Sequence, residues 1–102
     1  MKSIKPSEKQ ARLWLREAAQ GKRRLLFSEH AEQRMRQRKI GRRQVLETLQ
    51  HGSVSEPLHQ GISGDWRCNI SWLHAGVRLT VGVAFKLTEN GEWVIIATVF
   101  EE

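Results

Sequence analysis

Trp66-Arg67-Cys68-Asn69-Ile70-Ser71-Trp72-Leu73-His74-Ala75-Gly76-Val77-Arg78-Leu79-Thr80-Val81-Gly82-Val83-Ala84-Phe85-Lys86 is the stretch that decides the fold. Its first arm alternates Trp66, Cys68, Ile70 and Trp72 with Arg67, Asn69, Ser71 and Leu73. Its second alternates Val77, Leu79, Val81, Val83 and Phe85 with Arg78, Thr80, Gly82, Ala84 and Lys86. Successive side chains of a strand point to opposite faces, so each arm reads as a strand with one apolar face. A two-residue loop at Ala75-Gly76, with His74 paired to Val77, puts both apolar sets on one side of a hairpin. A slip of one residue would mix the sets, so the register is strongly specified. The opposite face carries Arg67, Asn69, Ser71, Arg78 and Thr80.

Downstream, Asn90-Gly91 marks a turn, and Trp93 to Phe100 is apolar on both faces except at Thr98, the pattern of a strand inside a sheet. A two-residue turn at Asn90-Gly91 puts Thr98 on the apolar side; a bulge between Lys86 and Glu92 puts it on the open face. Upstream of the hairpin, Gly61 to Asp65 is a turn-rich loop. Ser53 to Leu58 is a candidate fourth strand, weakened by Pro57. The N-terminal half has helical period instead. Ser7 and Gln10 form a capping box before the stripe Ala11, Trp14, Leu15, Ala18 and Ala19, and Gly21 ends that helix. Leu25-Leu26-Phe27 is a short strand or apolar bridge. Ser28 caps a second helix that stops near Lys39, and Gly41 and Gly52 bound a third with Val45, Leu46 and Leu49 inward. The expected class is α+β, with N-terminal helices packed on one face of a three- to four-stranded antiparallel sheet.

The chain has 102 residues, which suits a single domain. Residues 1–24 read as a basic helical extension and 25–102 as the core domain. No apolar run is long enough to span a bilayer and no secretory leader pattern opens the chain, so no membrane partner is expected. With a single cysteine, Cys68, no intrachain disulfide forms, and a reducing cytoplasm is the expected compartment. Charge is divided sharply. Residues 1–43 hold fourteen Lys and Arg against four Glu; residues 44–102 hold three against seven Asp and Glu. The basic half is a candidate surface for a polyanion.

Within it, the second helix aligns His30, Arg34 and Arg38 four residues apart in one row. An imidazole moves protons near neutral pH, and arginines hold phosphate through paired hydrogen bonds. RNA is then the first substrate to consider, because it can be cut without a metal. The ribose 2′-hydroxyl attacks the adjacent phosphate, given a base, an acid and positive charge on the developing phosphorane. His30 is the candidate for proton transfer, and Arg34 and Arg67 for the phosphate. Arg38, Arg42, Arg43, Arg78 and Thr98 are candidates for gripping the RNA strand, while Arg36 pairs with Glu32 along the helix. His30, His51, His59, His74 and Cys68 lack metal-ligand spacing. No phosphate loop, dinucleotide fingerprint or nucleophile elbow occurs, so neither a metal nor an organic cofactor is expected. The four tryptophans could stack on bases, but Trp14, Trp66 and Trp72 fall on apolar faces that suit a core.

From Phe27 to Phe100 the chain resembles a family of small bacterial domains of unknown function. The resemblance rests on F-S-x-H-A-x-x-R-M-x-x-R-x-I at Phe27 to Ile40 and V-L-x-x-L-x-x-G at Val45 to Gly52. It continues through the Arg67 strand and the Ala97 to Phe100 ending. That family looks related to the RelE-, BrnT- and MqsR-type toxins of bacterial toxin–antitoxin systems, many of them metal-independent ribonucleases with a helices-then-sheet fold. The first helix, Ser7 to Gln20, also looks similar to the opening of MqsR-type toxins. The resemblance implies a ribonuclease acting on messenger RNA, free or on the ribosome, with a cognate antitoxin, acidic or DNA-binding, as partner. It also implies that His30, Arg34 and Arg38 face Arg67 across a cleft. Two rivals differ in class: a nucleic-acid-binding module that needs the basic patch but not His30, and a protein-interaction domain that uses the hairpin and last strand as a template.

Overall fold

A computed structural model describes the backbone of residues 5–101 and the side chains of residues 5–98. Helix α1 runs over Glu8–Ala19, strand β1 over Leu25–Phe27, α2 over Glu29–Arg38 and α3 over Arg42–His51. Strands β2 (Ser53–Gln60), β3 (Trp66–His74), β4 (Val77–Leu87) and β5 (Trp93–Glu101) follow. Each helix starts where its cap dictates. The Ser7 hydroxyl accepts from the Gln10 amide at 3.0 Å while Gln10 reaches back to the Ser7 amide, and the Ser28 hydroxyl accepts from Ala31 at 3.0 Å. α3 starts at Gly41, whose amide donates to the Gln44 side chain at 2.8 Å.

The strands form one sheet in the order β1-β5-β4-β3-β2. The β3–β4 hairpin has the register expected, from Trp66 against Phe85 to His74 against Val77. Ala75 and Gly76 in its loop both have positive φ, 52° and 80°, as the favoured two-residue turn requires. β5 is interior, as its two apolar faces suggest, but the sheet has five strands and is mixed rather than three- or four-stranded and antiparallel. The fifth strand is β1, which runs parallel to β5 with Leu25 beside Ile95 and Phe27 beside Ala97. Three residues are too few to display alternation, so the pairing is invisible in that segment by itself.

Pro57 does not abolish β2, because β2 is an edge strand paired only with β3 and its register shifts between Glu56 and His59. A proline without an N–H is tolerated at such a bulge. There the Leu58 amide leaves the ladder and donates to Glu8 Oε2 at 2.9 Å, while the Leu58 side chain is buried.

Helices and sheet share one core. Leu15, Val45, Leu49, Ile70, Val81, Phe85 and Ile95 are fully buried in it, and Ala31 brings α2 against the same cluster. Trp14 packs on Phe85 and Trp93, with ring centroids 6.0 and 5.5 Å apart, so Trp93 belongs to the core side. Cys68 is buried here too; desolvation, reinforced by the charge of Glu8, pushes its thiol up to about 12. The helix layer covers the apolar face and leaves the Arg67 face polar. Among the described residues, no helix is long and apolar enough to cross a membrane.

Candidate functional site

The register across three strands builds the polar face. Asn69 lies opposite Gly82, and Gly82 opposite Thr98, so Thr98 belongs to the open face. The cause is the β4–β5 connection. Leu87 pairs with Trp93, which makes the loop Thr88 to Glu92 instead of a two-residue turn and moves β5 by one position. Thr88 anchors that loop: its amide donates to the Glu92 carbonyl at 2.8 Å and its hydroxyl accepts from the Glu92 amide at 3.1 Å.

A cleft of about 440 Å³ opens on this face. Arg67, Asn69, Lys86 and Thr98 rise from its sheet floor, Glu56 and His59 enter from β2, and Ser28 at the start of α2 closes the far side. The Ser28 amide donates to the Ala97 carbonyl at 3.3 Å, which fixes that border. Deeper along the face, the Ser71 hydroxyl meets Ser55 at 2.9 Å and Thr80 at 2.7 Å.

Arg67 is the best-braced side chain of the cleft. Its Nε and Nη2 donate to Asp65 Oδ1 and Oδ2 at 3.3 and 3.1 Å, while about half of its side chain is exposed. Burial raises the Asp65 carboxyl, but the hydrogen bonds from Arg67 and Ser63 outweigh it and hold the group below the usual carboxylate range. Asp65 thus fixes the plane of the guanidinium and leaves Nη1 without a partner among the described residues. Gly61 makes room for this arrangement. A Cβ there would stand 2.6 Å from Asp65 Oδ1 and 2.7 Å from Arg67 Nε.

Of the residues expected to act, Arg67 and Thr98 line the cleft, whereas His30, Arg34, Arg38, Arg42, Arg43 and Arg78 do not. Arg78 shares the polar face at the hairpin end, opposite Leu73. His30 is exposed two residues beyond Ser28. Arg34, Arg36, Arg38, Lys39 and Arg42 gather where α2 ends and α3 begins, and no carboxylate lies within salt-bridge distance of them among the described residues. Arg36 therefore does not pair with Glu32: both are exposed, and water solvates them at no cost in side-chain entropy. Arg42 lies over the Phe27 ring at 5.0 Å, and Arg43 pairs with Glu47 at 3.2 Å.

The sequence reading missed three cleft residues as functional candidates. Lys86 and Asn69 share strand parity with Arg67 and could have been found by it. His59 could not, because the Pro57 bulge hides its register. Among the described residues, no three His, Cys, Asp or Glu side chains gather as a metal site.

No curated protein and no solved structure matches the chain significantly. The sequence model of one family, described as a domain of unknown function, DUF4258, matches residues 27–101, from the last residue of β1 through the end of β5. That match takes in strands β2 to β5 and both helices that follow β1, includes only Phe27 of β1 and leaves α1 outside; the chain belongs to the DUF4258 family.

Proposed function

We propose that the chain is a metal-independent ribonuclease of the toxin type, holding single-stranded RNA on the polar sheet face. The observation that carries this reading is the cleft itself. It sets a half-exposed, pre-oriented arginine beside Lys86, Asn69 and Thr98, a set of donors suited to a phosphodiester and its ribose. The ridge Arg34, Arg36, Arg38, Lys39 and Arg42 supports it, because arginines and lysines without carboxylate partners attract a polyanion by counterion release. In the reaction, the 2′-hydroxyl loses a proton and attacks phosphorus, Arg67 and Lys86 balance the phosphorane charge, and the 5′-oxygen leaves protonated. The cleft wall offers one histidine, His59, as proton carrier. An acidic antitoxin that covers the basic ridge and the cleft fits as the partner, and a bacterial cytoplasm as the setting.

Expression of the wild-type chain without an antitoxin should arrest growth and deplete messenger RNA, and Arg67→Ala should relieve both. Normal growth with intact messenger RNA at full expression would remove the toxin reading.

One observation favours a second reading, a binding module without catalysis. The Asp65 carboxylate already neutralises Arg67, and Glu56 adds a second negative charge to the cleft. In that case RNA is retained unchanged over hours, while charge reversal of Arg34 and Arg38 weakens binding and flattens its salt dependence.

A further inference from the structure

We propose that His59, and not the helix histidine His30, carries the proton in this cleft; the assignment rests on the ribonuclease reading. Strand pairing puts the Cα of His59 directly opposite that of Arg67, so the imidazole and the guanidinium are cross-strand neighbours on the open face. A base beside a phosphate-holding arginine is the pairing that transesterification of RNA needs.

The ring is also held in the useful form. His59 Nδ1 lies 3.0 Å from the Pro57 carbonyl oxygen. A carbonyl only accepts, so Nδ1 carries the hydrogen and Nε2 of the neutral ring is left with its lone pair. Nε2 makes no hydrogen bond among the described residues, and the ring is 44% exposed. Glu56 Oε1 stands 3.7 Å from the same Nδ1, and Glu56 Oε2 accepts from Asn69 Nδ2 at 3.1 Å. The Pro57 carbonyl therefore orients the imidazole, and the Glu56 carboxylate, held by Asn69, stands beside it. The charged groups around it are Glu56 on its own strand, Arg67 with Asp65 from β3 and the loop before it, and Lys86 from β4. His30 has none of this. It is exposed, lies outside the cleft and makes no hydrogen bond or ion pair among the described residues.

Nε2 takes the 2′-hydroxyl proton as the 2′-oxygen bonds to phosphorus. The bond from phosphorus to the 5′-oxygen breaks, and water gives that oxygen its proton. The hydroxide so formed is neutralised by the proton on His59, which restores the free base and leaves a 2′,3′-cyclic phosphate and a 5′-hydroxyl.

The test is cleavage of an end-labelled RNA in EDTA by the full chain, compared with His30→Ala, His59→Ala and His59→Asn. Asparagine can still donate to the Pro57 carbonyl but offers no basic nitrogen, so it separates structure from chemistry. Expected are a loss of about a hundredfold or more in both His59 variants, recovery of part of it for His59→Ala in added imidazole, and little change in His30→Ala. Cleavage by His59→Asn close to wild type would overturn the assignment while leaving the ribonuclease reading standing. So would a loss in His30→Ala with His59→Ala active, or a loss in His59→Ala that imidazole does not recover. An inert wild-type chain would overturn the ribonuclease reading and this assignment with it.

Discussion

Arg67 reaches the cleft with two of its nitrogens committed to Asp65 and Nη1 without a partner among the described residues, so the carboxylate braces the guanidinium that we propose holds phosphate. The brace has a pH signature. Asp65 is held below the ordinary aspartate pKa of about 3.9, so its ionised form contributes stability above that pH, and the contribution drains away as pH falls through the lower folded value. Acid unfolding followed by circular dichroism should therefore lose steepness below about pH 4 in Asp65→Asn, and the same variant should bind RNA more weakly as Arg67 swings free. Cys68 has the opposite sign. Its folded thiol is raised to about 12, so stability is whole below the unfolded cysteine value and falls as pH rises toward 12. In the native chain a disulfide reagent should leave this buried thiol untouched and label it fully only in denaturant, whereas rapid native labelling would contradict its burial.

Single side chains also tie elements together. Arg12, on α1, donates to the carbonyls of Leu49 and Gly52 at 2.6 Å each, closing the C-terminal end of α3. Its guanidinium is partly desolvated and lies near Arg16, both of which lower its pKa, yet it finds those carbonyls as partners. Arg12→Ala should cost about 1–3 kcal/mol, read as a lower denaturant midpoint, and Arg12→Lys should recover only part of it because a lysine cannot fork. The β3–β4 turn holds a small reserve in the other direction. Ala75 sits at φ 52°, where a side chain other than Asn, Asp or Gly is strained, so Ala75→Asn should stabilise the chain by about 1 kcal/mol. An unchanged midpoint would mean that the turn relaxes without that help.

Element by element, the chain reads well wherever period and punctuation agree. The caps Ser7, Ser28 and Gly41 and the Trp66–Lys86 alternation lead directly to three helices and a hairpin with the observed register. What stayed hidden depends on partners distant in sequence. β1 shows its nature only beside β5, the parity of Thr98 turns on the loop from Thr88 to Glu92, and the Pro57 bulge conceals where His59 will stand.

At the scale of the whole molecule, the helices seal one sheet face and donate their cations to a ridge at the α2–α3 corner, while the other face keeps its polar side chains for a cleft. The two halves of the charge division thus take different places. In the proposed ribonuclease the basic half would supply long-range attraction, and the sheet short-range contacts around Arg67. This division explains why the motif helix was easy to notice and the cleft was not. Arg34 and Arg38 announce themselves by spacing, whereas Arg67, Lys86, Asn69 and His59 meet only after three strands have paired. The most direct measurement is to incubate the purified chain with a labelled single-stranded RNA in EDTA and identify the new ends. Fragments ending in a 2′,3′-cyclic phosphate are expected, lost when Arg67 or His59 is replaced; RNA left intact, with or without ribosomes, would refute the ribonuclease reading.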